Sequence, residues 1–411
     1  MLIVDATLWD GTGAEPRRGM ALRTEGERIA WIGPSAAAPK GDATEDVVDA
    51  AGRWLLPGLI DLHVHLTADP RQSDFMRYIQ TTPIPEQTLM GARNARLMLE
   101  AGFTSTRDLG ATGFANVALK RAIDAGWVPG PRLVTCGEFL TVPGGHGDVT
   151  FRPDLGLESP HAIRGIDDAR RLVREQIKRG ADWIKLLATG GVMTGGTALG
   201  ASLWEDDELR AAVGMARRLG KPVAAHCHGA DGMVAVAEAG VSTIEHGTMA
   251  DERAVEAMKR HGTTLVPTFS AAAGVVREAK AGRLPPAVAP QALAIEHSHA
   301  KAFRLAREAG VRIASGSDTG VPGTEFGGNA GELELLVGHG LTPAEAILAG
   351  TRDAAQVLGW QDRLGTLEEG KLADLILVDG DPLSEIAVLK NKVRIVVKGG
   401  ALARGRGAGL V

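Results

Sequence analysis

Eight short apolar runs alternate with amphipathic helical stretches between residues 59 and 317, which predicts a (β/α)8 TIM barrel of the α/β class. Strand-and-turn segments at the two chain ends predict a small β-sandwich domain built from both termini. The ends show no helical period and are punctuated by Gly, Pro and Asp, so they are expected to pair with each other. The expected division is 1–57 for the first part of the sandwich, 58–360 for the barrel and 361–411 for the second part.

Residues 2–4, 20–23, 28–32 and 45–49 read as terminal strands. The first barrel strand is 59–66, L-I-D-L-H-V-H-L, directly after Pro57-Gly58. A helical stripe at 85–101 stops at Gly102, ahead of a strand at 103–109, a helix near 115–125 and a strand at 132–137. A Gly- and Pro-rich insertion follows, including V-P-G-G-H-G at 142–147. Helix 166–179 leads to strand 182–189, and helix 206–219 to strand 222–228. Helices 229–239 and 250–261 lead to strands 241–246 and 263–269, and a helix around 292–309 precedes the eighth strand, 311–317. Beyond 364 strands return at 375–378 and 393–398, with turns at Gly370, Asp379-Gly380 and Gly399-Gly400.

Composition narrows the function classes. The 411 residues are 44% hydrophobic and 23% charged with a net charge of −5, ordinary for a globular protein. No Lys/Arg cluster suggests nucleic acid or an anionic membrane, and no apolar run is long enough to span a bilayer. Cys136 and Cys227 cannot form a disulfide framework, which fits a reducing compartment. The opening M-L-I-V-D-A-T-L-W-D-G lacks a basic leader, so a cytoplasmic enzyme is expected.

In such a barrel, chemistry sits at the C-terminal ends of the strands. His63 and His65 come late in the first strand, and the period of two puts both on one face. His226 and His228 repeat that spacing in A-A-H-C-H-G, with Cys227 turned away as a packed small residue. His246 ends the sixth strand in I-E-H-G-T, and Asp318 follows the eighth in S-G-S-D-T-G. Lys185 stands in D-W-I-K-L-L-A-T-G-G, an apolar run where a lysine is costly unless neutralised, paired or modified. Each residue alone has a structural explanation. Together at one rim, His63, His65, His226, His246, Asp318 and Lys185 form an N/O ligand set for divalent cations, Zn²⁺ foremost. A neutral Lys185 can also add CO₂, giving a carbamate able to bridge two cations.

The glycine-rich loop 190–196 is expected to line the pocket, with Val192 and Met193 as apolar lining. Arg107 and Asp108 read equally as an internal ion pair or a substrate contact. His161, His261, His297, His299 and His339 read as non-catalytic; His297 and His299 are two apart on a helix and point to different faces.

The motifs L-P-G-L-I-D-L-H-V-H, Lys185, His226, His246, S-D-T-G and G-T-L-E-E-G-K-L-A-D-L-I-L-V-D-G-D-P-L together resemble the amidohydrolase superfamily over nearly the whole chain. That resemblance implies a binuclear centre. His63, His65 and Asp318 would hold one metal, His226 and His246 the other, and carboxylated Lys185 would bridge them. More narrowly, I-K-L-L-A-T-G-G-V-M-T, A-A-H-C-H-G and S-T-I-E-H-G-T are similar to the prolidase-like branch. Its members are Xaa-Pro and Xaa-Arg/Lys dipeptidases and ochratoxin-hydrolysing amidohydrolases.

The implied reaction is hydrolysis of a small peptide or N-acyl amino acid with an α-amino acid as leaving group. In it two metals lower the pKa of a shared water, Asp318 serves as acid–base and His228 donates to the developing oxyanion. His146 would contact the substrate's carboxylate or carbonyl, and a homo-oligomer is expected on family grounds. The imidazolonepropionase branch is similar at both chain ends, but is expected to use one metal without a bridging lysine, so Lys185 counts against it. A cyclic-amide hydrolase or deaminase is the second reading, and an inactive barrel acting as an assembly protein is the third.

Overall fold

Both termini meet in one sheet. A computed structural model describes residues 1–39, 45–148, 159–194 and 197–405. From the N-terminus, Leu2–Leu8, Arg17–Glu25, Arg28–Pro34, Val47–Asp49 and Trp54–Pro57 are strands; from the C-terminus, Leu375–Val378, Val393–Lys398 and Ala401–Arg404 join them. The eight form a single hydrogen-bonded sheet, sewn together where Leu55 pairs antiparallel with Leu377. The short Trp54–Pro57 and Ala401–Arg404 strands were not expected from sequence.

Alternation gives this sheet two buried faces. Leu55, Leu375, Leu377, Ile395 and Val397 point into a core of the sheet's own, with Ile3, Leu22 and Ile29. Their neighbours Leu56, Ile376, Val378 and Val396 point the other way, into the main core. The terminal sheet is thereby bolted to the rest of the chain through one of its faces.

The central strands run parallel, as the β–α alternation requires. Leu59–Val64, Phe103–Asp108 and Arg132–Thr135 form one sheet; Ile184–Leu187, Val223–Gly229, Thr243–Met249 and Thr264–Val266 form another. Backbone hydrogen bonds link the two. On one side Leu140 N–H donates to Lys185 O at 2.8 Å and Leu187 N–H to Leu140 O at 2.9 Å. On the other, residues 311–317 make isolated bonds where a full strand was expected. Ala314 N–H donates to Leu265 O at 3.0 Å, Leu62 N–H to Ser315 O at 3.0 Å and Asp318 N–H to His63 O at 2.6 Å.

Most expected helices are present, among them Ile84–Glu100, Ala115–Asp124, Ile166–Arg179, Asp206–Arg218, Ala230–Ala239, Glu252–His261 and Ala289–Glu308. The expected strand 263–269 stops at Val266, because Pro267 has no N–H for a ladder; the helix Phe269–Lys280 begins there instead. Phe75–Thr81, Gly331–Gly338, Pro343–Ala349 and Arg352–Val357 are further helices that the sequence reading did not anticipate. No helix among the described residues is long and apolar enough to cross a membrane.

Candidate metal centre and active site

The side chains singled out from sequence reach one cavity by three backbone devices. In Val223–Gly229 plain alternation suffices: Ala224 faces the interior cluster while Val223, Ala225 and Cys227 pack outward, so His226 and His228 face inward. Lys185 arrives the same way, between outward Ile184 and Leu186. The first strand is different. Ile60 and Leu62 point inward, and a register shift between Asp61 and Val64 brings His63 and His65 round to the cavity. His246 and Asp318 use a third device, a left-handed backbone with φ of 72° and 55°. Of the six non-glycine residues with positive φ among those described, three are His246, Thr268 and Asp318, all lining this cavity. Such strain persists where the surroundings hold it, typically at functional sites.

Four imidazoles are pinned from behind. Nδ1 of His63 lies 2.9 Å from Glu245 Oε2, and Nδ1 of His65 lies 3.0 Å from the Gly110 carbonyl. Nδ1 of His228 lies 2.8 Å from the Thr248 hydroxyl, and Nδ1 of His246 lies 2.7 Å from the Thr268 hydroxyl. For His63 and His65 the partner is a pure acceptor, so Nδ1 carries the proton and Nε2 is the remaining ring nitrogen. These two Nε2 atoms stand 3.4 Å and 3.3 Å from Asp318 Oδ1, an oxygen that is buried yet makes no hydrogen bond. Such a convergence of electron-rich atoms calls for a positive charge, either a proton on His65 or a cation. Two ligand groups have their atoms within 4.8 Å of one another: His63, His246 and Asp318, and His226, His228 and His246. The second group contains His228, which the sequence reading assigned to the oxyanion rather than to a ligand role.

Electrostatics match that donor set. Burial holds His63 at about 4 and pushes His226 and His246 well below 6.5, so these rings are neutral and keep a lone pair free. Burial acts the same way on His65, but the facing Asp318 outweighs it and raises that ring's pKa. Lys185 is 2% exposed, its Nζ has no hydrogen-bond partner, and burial lowers its pKa to about 8. The buried Lys185 Nζ, His226 Nε2 and Asp318 Oδ1 atoms have no hydrogen-bond partner, as polar atoms that face a cation do. The residues therefore fit a metal centre.

The cavity has a volume of about 120 Å³ and is lined by every residue expected at the site: His63, His65, His146, Lys185, Val192, Met193, His226, His228, His246 and Asp318. His146 is buried, with its ring centroid 4.5 Å from that of His226 and no partner for Nδ1. Gly191 lies flat against it, since a Cβ there would stand 2.6 Å from His146 Nε2. Gly195 and Gly196, part of the expected pocket loop, lie outside the described residues. The rest of the lining is largely apolar. Phe75, Met76, Ile79 and Phe139 contribute to it, as do Ala271, Val275, Ile295 and Val321. Cys227 is a buried free thiol.

Arg107 resolves as an internal pair: it is fully buried, donates to Glu245 Oε1 at 2.8 Å and lies over the Trp183 ring. Asp108 accepts from Leu66 N–H, Gly110 N–H and Asn116, a structural role. His299, read as non-catalytic, is buried at the cavity wall and stacks on Phe269. Sequence reasoning missed Glu245, although a carboxylate inside I-E-H poses the same burial problem that drew attention to Lys185. It also missed the Phe75–Thr81 wall, which Asp74 announces by capping Arg77 N–H at 3.1 Å.

The amidohydrolase family model matches residues 54–403. Ochratoxinase from Aspergillus niger is 36% identical over 440 residues, covering 99% of this chain and 87% of that protein. Among solved structures, a Xaa-Pro dipeptidase with methionine bound in its active site superposes with a TM-score of 0.90 at 33% identity, covering 98% of this chain and 99% of the other. The A. niger ochratoxinase structure gives a TM-score of 0.87 at 33% identity, covering 99% and 96%.

Proposed function

This chain belongs to the amidohydrolase family and hydrolyses amide or peptide bonds, and from that premise we propose a binuclear-metal enzyme that releases an amino acid from a dipeptide or N-acyl amino acid. One observation carries the reading: histidines pinned through Nδ1 surround the buried, unpartnered Oδ1 of Asp318 beside the unpartnered Lys185 Nζ. We read the two linked parallel sheets as a closed (β/α)8 barrel over 58–360, with 1–57 and 361–411 as the two parts of a β-sandwich.

His63, His65 and Asp318 would hold one divalent cation, His226 and His246 the second, and Lys185, carboxylated on Nζ, would bridge them. Zn²⁺ suits these N/O donors. When bound, the ions would supply Lewis acidity and a nucleophilic water near neutral pH. The chain's own residues do the rest. Asp318, held between His63 and His65, takes the proton of the attacking water and returns it to the departing amine. Burial brings His228 to about 3, so it is neutral, and Nδ1 lies 2.8 Å from the Thr248 hydroxyl; in the tautomer where that hydroxyl donates, the ring's one proton sits on Nε2, available to the developing oxyanion. His146, also neutral, presents its unpartnered Nδ1 as a polar contact for the substrate. The apolar lining, including Val192 and Met193, favours a bulky apolar group beside the scissile bond, as in ochratoxin-type conjugates.

The test is a library of dipeptides and N-acyl amino acids, with an aryl conjugate such as ochratoxin, assayed with Zn²⁺ and bicarbonate. Free amino acid as product supports the reading. Ring opening that adds one water without fragments would replace it with the cyclic-amide alternative. A homo-oligomer in the cytoplasm is part of the proposal, checked by light scattering of the native protein and by cell fractionation.

A further inference from the structure

A threonine at a helix N-cap ordinarily turns its hydroxyl onto the free N–H groups of the first turn. Thr268 holds that position ahead of Phe269–Lys280, yet its side chain makes no bond to the helix. Its backbone is left-handed, φ 55° and ψ 47°, a conformation unfavourable for a β-branched residue. The cap comes from elsewhere. Glu332, buried in Gly331–Gly338, accepts from Phe269 N–H at 2.9 Å and from Ser270 N–H at 2.7 Å. That frees the Thr268 hydroxyl, which lies 2.7 Å from Nδ1 of His246. His246 is itself left-handed at φ 72°. Two strained residues, one within the Thr243–Met249 strand and one just past Thr264–Val266, thus meet in one hydrogen bond, and the distant Glu332 carboxyl group takes over the duty that one of them gave up.

We propose that Thr268 is a positioning residue for the metal centre, orienting His246 so that Nε2 serves the cavity, while Glu332 caps the Phe269–Lys280 helix in its place. The left-handed Thr268 whose hydroxyl faces His246, with Glu332 on the helix N–H groups, is the geometry such a role requires. The inference rests on the metal-centre reading, and its test is built so that the two can fail separately.

The experiment measures Zn²⁺ affinity of the full chain by competition with a chelating dye, alongside the Tm of the metal-free protein. Glycine accepts positive φ without strain, so Thr268→Gly should leave the Tm unchanged or higher while weakening Zn²⁺ binding about 10–100-fold. Thr268→Val keeps the shape without the hydroxyl and should lose affinity likewise, which covers the case in which the glycine variant does not fold. Thr268→Ser, which keeps the hydroxyl, should bind close to the parent. Parent-like affinity in both Thr268→Gly and Thr268→Val would overturn the inference, as would a serine variant as weak as the glycine one. A parent protein that takes up no Zn²⁺ would overturn the metal-centre reading itself and this inference with it.

Discussion

His63/His65 and His226/His228 are the same H-x-H spacing written twice, yet they reach the cavity differently. The second pair lies on a regular strand and continues the inward face set by Ala224. The first sits where unbroken alternation after Ile60 and Leu62 would turn both rings outward, and only the register shift at Asp61–Val64 reverses that. Asp61 holds the shift: it accepts the His63 N–H at 3.1 Å, the Ser317 N–H at 2.9 Å and Asn329 at 2.9 Å. One pair is placed by local periodicity, the other by a buried carboxylate that ties the first strand to the segment bearing Asp318.

Asp318 is proposed both to hold one cation and to carry the proton, so replacing it should have the largest effect. Asp318→Asn removes the proposed proton acceptor and should lower kcat by about 10²–10⁴-fold, measured under saturating Zn²⁺. Asp61→Ala should separate the two pairs. It leaves the buried Ser317 and Asn329 donors without their acceptor, at about 1–3 kcal/mol each, and lets the His63/His65 side relax while His226, His228 and His246 stay in place. Urea unfolding should register the lost stability, and metal analysis should show one ion kept and one lost. Equal loss of both ions would break the comparison.

Acid should act on both sides of the centre at once. His63 and His146 sit at about 4 and His228 at about 3, against 6.5 for a free imidazole, because burial disfavours their charged forms. Below 6.5 the unfolded chain binds more protons than the fold, so the metal-free protein should lose stability as pH falls from 6.5 towards 4. The slope approaches roughly 1.4 kcal/mol per pH unit for each such ring. A Tm flat from pH 7 to 4 would contradict this. The smallest effect is expected at the cavity wall: Asp74→Ala removes the cap of Phe75–Thr81, about 1 kcal/mol of local helix stability. It should raise KM for apolar substrates and leave kcat unchanged.

What could be read from the chain follows the same division. The His226/His228 spacing, the lysine in an apolar strand and the pairing of the two termini are local or periodic signals, and the structure carries each of them. The register shift at Asp61, the left-handed turns at His246 and Asp318 and the diversion of Thr268 depend on contacts from far along the chain, which no window of sequence contains. Glu245 was legible in principle, since burying a carboxylate demands partners; it finds Arg107 and His63.

The most direct measurement is the metal content of the chain after equilibration with Zn²⁺ and bicarbonate, for the parent and for Lys185→Ala. Six side chains caging two cations around Lys185 predict two equivalents per chain in the parent and one or fewer in the variant. Two equivalents retained without Lys185, or none bound by the parent, would contradict it.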